Sequence, residues 1–87
     1  DVMTLKLDDF CSNNNIYPSH LKIDTDGQEF GALKGAEIIL KGSVLKEIFI
    51  EIVNEDCLKI TDYIKSFGFK VMWHSKNIQD QEFIFKR

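Results

Sequence analysis

The sequence predicts an α/β fold in which parallel strands are flanked by helices and a C-terminal antiparallel hairpin closes the chain. Three stretches carry that expectation. Leu21-Lys22-Ile23 alternates as a strand does, Gly27 breaks the run one residue after Asp26, and helical spacing takes over at Phe30, Leu33 and Leu40, with Ala32 and Ala36 between. Glu47 to Val53, Glu-Ile-Phe-Ile-Glu-Ile-Val, is almost continuously apolar and β-branched in its middle, the pattern of a central strand covered on both faces. Phe69 to Trp73 and Glu82 to Lys86 are strand-like runs joined by a polar turn over Ser75 to Gln81, which reads as a hairpin.

In chain order, Val2 to Leu5 is a short extended segment, and a helix over about Leu7 to Asn13 brings Leu7, Phe10 and Cys11 to one face. Asn13-Asn14-Asn15 ends that helix, and Pro18 keeps the chain extended up to the first strand, Leu21 to Asp24. The helical stretch after Gly27 runs to about Lys41. Gly35 within it costs about 1 kcal/mol relative to alanine and marks a bend, and Gly42 terminates it. After the central strand, Asn54 to Phe67 is the clearest helix, with Cys57, Ile60, Ile64 and Phe67 on one stripe and Gly68 at its C-terminal cap.

Eighty-seven residues make one domain, 1–87, since a smaller unit would struggle to bury a core. A hydrophobic share of 44% and a charged share of 29% are those of an ordinary water-soluble protein. The net charge of -3, with basic residues scattered, argues against nucleic acid as a partner. No apolar run approaches the roughly 20 residues that cross a bilayer, and no stretch reads as a signal peptide, so no membrane partner is expected. Cys11 and Cys57 sit far apart in apolar helical patterns and read as reduced core residues, which suits a cytoplasmic setting. His20 and His74 have no neighbours at metal-ligand spacing, so no metal site is expected.

The candidate chemistry lies where strands end. Asp24 and Asp26 are two apart, and so on one side if the strand continues that far; there they could orient a substrate, accept a proton or hold a hard cation. Carboxyl ends of strands are also where open α/β sheets bind ligands. A structural account competes: Asp26 is a good helix N-cap, Glu29 three residues later completes a capping box, and both suit the positive end of a helix. Asp24 is too far upstream to be that cap. Glu51 interrupts a buried strand, so its carboxylate must find a partner or reach the crevice at the strand's end.

Thr4-Leu5-Lys6-Leu7-Asp8-Asp9-Phe10, then Leu21-Lys22-Ile23-Asp24-Thr25-Asp26-Gly27-Gln28-Glu29, then Leu33-Lys34-Gly35-Ala36, then Ile48-Phe49-Ile50-Glu51 resemble, in order and spacing, the FkbM family of S-adenosylmethionine-dependent methyltransferases. The resemblance spans roughly residues 2 to 54, and the remainder only in pattern. Two positions depart from it: Asp26 stands where the family usually carries glutamate, and Gln28 where it usually carries a small residue. The resemblance implies a partial Rossmann-like class I methyltransferase sheet, of which this chain is the C-terminal half. It also implies S-adenosylmethionine as cofactor and a small-molecule or sugar hydroxyl as methyl acceptor. Asp24, Asp26 and Glu51 are the catalytic candidates, and Glu29 the substrate-binding one.

The glycine-rich cofactor loop the resemblance calls for is absent, because the five glycines stand singly with no Gly-x-Gly. The chain, which starts without methionine, is expected to be a portion of a longer enzyme or a truncated product, inactive in isolation and binding the cofactor weakly or not at all. The alternative is a non-catalytic α/β binding or assembly module. A receiver-like, magnesium-binding domain is a weaker alternative, because its ordered acidic pair, phosphorylatable aspartate and later lysine are not found. An exposed edge at the first strand points to a homo-oligomer.

Overall fold

The computed structural model describes residues 7–23 and 29–87, with the side chains of Leu7, Phe10 and Glu29 outside that description. The elements follow in the order α1 (Leu7–Asn14), β1 (His20–Ile23), α2 (Glu29–Lys34), α3 (Glu37–Lys41), β2 (Glu47–Val53), a 3-10 turn (Asn54–Asp56), α4 (Cys57–Lys65), β3 (Lys70–Lys76) and β4 (Asp80–Lys86). The four strands form one mixed sheet in the order β1-β2-β4-β3. Only β1 and β2 are parallel neighbours. Since β4 runs antiparallel to both β2 and β3, the first three strands point the same way and β4 alone runs against them.

β2 occupies its expected span and lies inside the sheet. Its two faces differ, however. Ile48, Ile50 and Ile52 are fully buried, while Phe49, Glu51 and Val53 are half-buried. The buried face joins Phe83 and Phe85 of β4 to Leu33 of α2, Leu40 of α3 and Ile60 and Ile64 of α4 in one cluster. Each fully buried isoleucine there contributes about 1.5–3 kcal/mol. The other face carries Lys22, Phe49, Ile84 and Trp73 side by side across the four strands, and no described element lies over it. The molecule is accordingly only 17 Å through its thinnest direction, the depth of one helix layer on one sheet.

The helical stretch expected to continue through a bend at Gly35 is two short helices. The amide of Gly35 still reaches the Gly31 carbonyl (3.1 Å), but Ala36 bonds only three residues back, to Leu33 (3.0 Å). Asp8 of α1 then takes over: its carboxylate accepts the amides of Ile38 (2.9 Å) and Ile39 (3.1 Å), capping α3 from a distant helix. Its own amide donates to the Gly35 carbonyl (2.8 Å). At the other end of α3, Gly42 donates to Ile38 and Ile39, and the Arg87 guanidinium donates to the carbonyls of Leu40 and Gly42 while lying over the Phe69 ring. Backbone groups left over at both helix ends thus find side-chain partners.

α1 ends at Asn15, whose φ of 57° is the left-handed conformation asparagine tolerates. α4 is shorter than expected because a 3-10 turn takes its first residues. Its stripe is as read: Ile60 and Ile64 are fully buried, Cys57 and Phe67 pack against the core, and Gly68 at φ 94° follows the helix. Phe30, Tyr63 and Phe67 join α2 to α4 through edge-on ring contacts of 5.3 and 5.1 Å. The terminal hairpin has longer strands and a tighter turn than the polar composition of Ser75 to Gln81 suggested, because β3 is an edge strand exposed along its whole length and so accommodates polar residues.

Candidate functional site

Strand direction decides where chemistry can gather. With β1, β2 and β3 parallel in sense, their carboxyl ends share one margin of the sheet with the start of β4. At that margin Val53, Asn54, Glu55, Ile78 and Gln79 line an open depression of about 640 Å³.

Asn54, the first residue after β2, organises it. Its side-chain Nδ2 donates to the Ile78 carbonyl (2.9 Å), its backbone amide donates to the Gln79 carbonyl (3.1 Å), and its Oδ1 accepts from Gln81 Nε2 (3.2 Å). Gln81 Oε1 faces His74 Nε2 at 2.6 Å. A carboxamide oxygen can only accept, so His74 carries its proton on Nε2. The ring is also stacked on Phe83, with centroids 4.5 Å apart. The turn itself is closed by Asn77, whose Oδ1 accepts the Asp80 amide (3.1 Å) and whose amide donates to the Asp80 carbonyl (3.0 Å). Asp80 Oδ1 is buried without a hydrogen-bond partner.

Glu51 lies one pair inside this margin. It is half-buried, directly across from Glu82 of β4, on the face opposite the isoleucine core. Glu82 and Asp80 lie on that same open face of β4. Asp24 and Asp26 lie outside the described residues, Asp24 directly following β1 in sequence. Glu29 opens α2, and its side chain is likewise outside the description. Of the four sequence candidates, then, the structure places Glu51 near the strand-end margin. It adds Asn54 and Gln81, which sequence reading passed over, and joins to them His74, which the sequence shows only as a lone histidine. The available signal was a polar amide directly after the most buried strand. Among the described residues no group of three histidine, cysteine, aspartate or glutamate side chains could hold a metal ion.

The chain is a mixed α/β protein with polar side chains collected at the carboxyl ends of its parallel-sense strands, the margin at which open α/β sheets bind ligands. Residues 1–71 match the methyltransferase FkbM domain, and the chain belongs to that family. No curated protein and no solved structure matches the chain.

Proposed function

We propose that this chain is the acceptor-side portion of an S-adenosylmethionine-dependent methyltransferase that methylates a hydroxyl of a small molecule or sugar, in a cytoplasmic setting. The family match carries the reading, and the position of Glu51 and Asn54 near one margin of the sheet supports it. The described residues do not by themselves form an adenosine cradle: no glycine-rich loop is present, and the depression at the margin is open. The cofactor supplies an electrophilic methyl group on a sulfonium centre. The chain's own share is to orient the acceptor hydroxyl and take its proton as the oxygen becomes a nucleophile.

Asp24, Asp26 and Glu51 are the carboxylates assigned to that proton, with Glu29 contributing to acceptor binding. The calorimetric test titrates S-adenosylmethionine and S-adenosylhomocysteine into this 87-residue chain and into the longest reading frame containing it. Binding by the longer protein is expected, and binding by neither removes the reading. In the longer protein, Asp24→Asn is expected to lower methyl transfer by roughly 10²–10⁴-fold, the usual worth of a positioned proton acceptor. Undiminished turnover would dismiss Asp24 from the role.

A further inference from the structure

We propose that the cleft between α1 and α3 binds a small amphiphilic cation, an aromatic ring carrying a primary amine on a short chain, with its ammonium paired to Asp8. The cleft lies where Tyr17 and Pro18 lead into β1 and where Val44 and Leu45 lead into β2, at the amino ends of the two parallel strands. The length of β2 sets it about 20 Å from the depression at their carboxyl ends. Its occupant is therefore not the methyl acceptor proposed for that margin.

The walls are apolar and unevenly covered. Cys11, Ile39 and Leu45 belong to the core and form the floor, whereas Tyr17, Ile38 and Val44 at the mouth are 63%, 73% and 48% exposed and so have apolar surface left to bury. The space between them is about 270 Å³. A cavity of about 150 Å³ admits benzene, so this one takes a single ring with a few further atoms.

Charge decides what the ring carries. Asp8 is the one charged side chain lining the cleft. Its oxygens accept the amides of Ile38 (2.9 Å) and Ile39 (3.1 Å), which fix the carboxylate in place and leave each oxygen a further lone pair. Ser12, one turn further along α1, adds a hydroxyl on the same side. The cations toward the other end of α3 are engaged elsewhere: Lys41 pairs with Glu37 at 2.9 Å, and the Arg87 guanidinium is bound to the Leu40 and Gly42 carbonyls. A carboxylate held ready beside an apolar slot selects an ammonium on an apolar body and rejects an anion of the same shape.

Three probes of one shape and different charge test this: phenethylamine, phenylethanol and phenylacetate, each titrated into the 87-residue chain and into the longest reading frame containing it, with backbone amide chemical shifts as the readout. Saturable shifts at Ile38, Ile39, Val44 and Leu45 are expected with the amine, at a dissociation constant on the order of 1 mM, as suits so small a ligand. The alcohol should bind about ten-fold more weakly, the worth of a hydrogen bond to a charged group, and the acid more weakly still. Val44→Trp, which fills the mouth, should abolish binding with unchanged circular dichroism. Asp8→Asn keeps an acceptor for the α3 amides and should bring the amine down to the level of the alcohol while the alcohol still binds, a result that misfolding would not produce. The proposal is overturned by an amine that gives no saturable shift, by an alcohol or acid that binds as tightly, or by binding indifferent to Val44→Trp. Binding to the 87-residue chain that vanishes in the longer protein also overturns it, since the remainder would then cover the cleft.

Discussion

Asp8 does more than its place in the first turn of α1 suggests. Two acceptor oxygens on one side chain satisfy two amides of a helix some thirty positions later, and that pairing separates α2 from α3. Asp8→Ala is expected to cost about 1–2 kcal/mol and to speed hydrogen exchange at Ile38 and Ile39 ahead of the rest of the molecule. Unchanged protection at those two amides would show that α3 holds its first turn unaided. Cys57 is a second residue whose environment can be read chemically. Burial pushes its thiol pKa up, against the opposing pull of Lys76 and Lys65. The folded state therefore holds the thiol proton more tightly than the unfolded chain. The associated stability is fully present at neutral pH and is lost as the pH rises through the raised thiol range. Iodoacetamide at pH 8 is expected to modify Cys57 more slowly than glutathione, since the thiolate is the nucleophile. A rate equal to that of the free thiol, followed by peptide mapping, would refute the shielding.

At the scale of elements, sequence and structure agree where neighbours along the chain decide the outcome. The near-continuous apolar run of Glu47 to Val53 places β2 to the residue, though only one of its faces is buried, and the spacing of Cys57, Ile60, Ile64 and Phe67 gives the buried stripe of α4. They part where a distant group intervenes. Nothing local to Gly35 announces that Asp8 will cap a new helix. Nothing local to Ser75 announces that an exposed strand will extend through it, or that β3 shifts register between Val71 and Trp73 and so turns Trp73 onto the open face. The site follows the same division. Glu51 is visible in the sequence because a carboxylate within an apolar run is conspicuous. The bonds of Asn54, Gln81 and His74 span a hairpin and have no signature in spacing.

Among the described residues, stability rests on a single layer of contact between the helices and one sheet face, with no second core there to absorb a loss in that layer. Ile50, fully buried between β1 and β4 and facing the helices, is the stringent position. Ile50→Ala is expected to cost about 2–5 kcal/mol, read as a fall in the midpoint of denaturant unfolding. A change below 1 kcal/mol would mean that the layer closes over the lost volume.

The placement of β4 carries a consequence for synthesis. In chain order it is the last described strand, yet in the sheet it is an inner one, holding β2 on one side and β3 on the other. Until residues 80–86 have left the ribosome, β3 has no partner, and the β1–β2 pair ends in an unfinished margin. Arg87, which ties off α3, emerges later still. The nascent chain must therefore keep its isoleucine-rich strand from pairing elsewhere until residues 80–86 arrive, and the described sheet closes only then instead of growing strand by strand from β1.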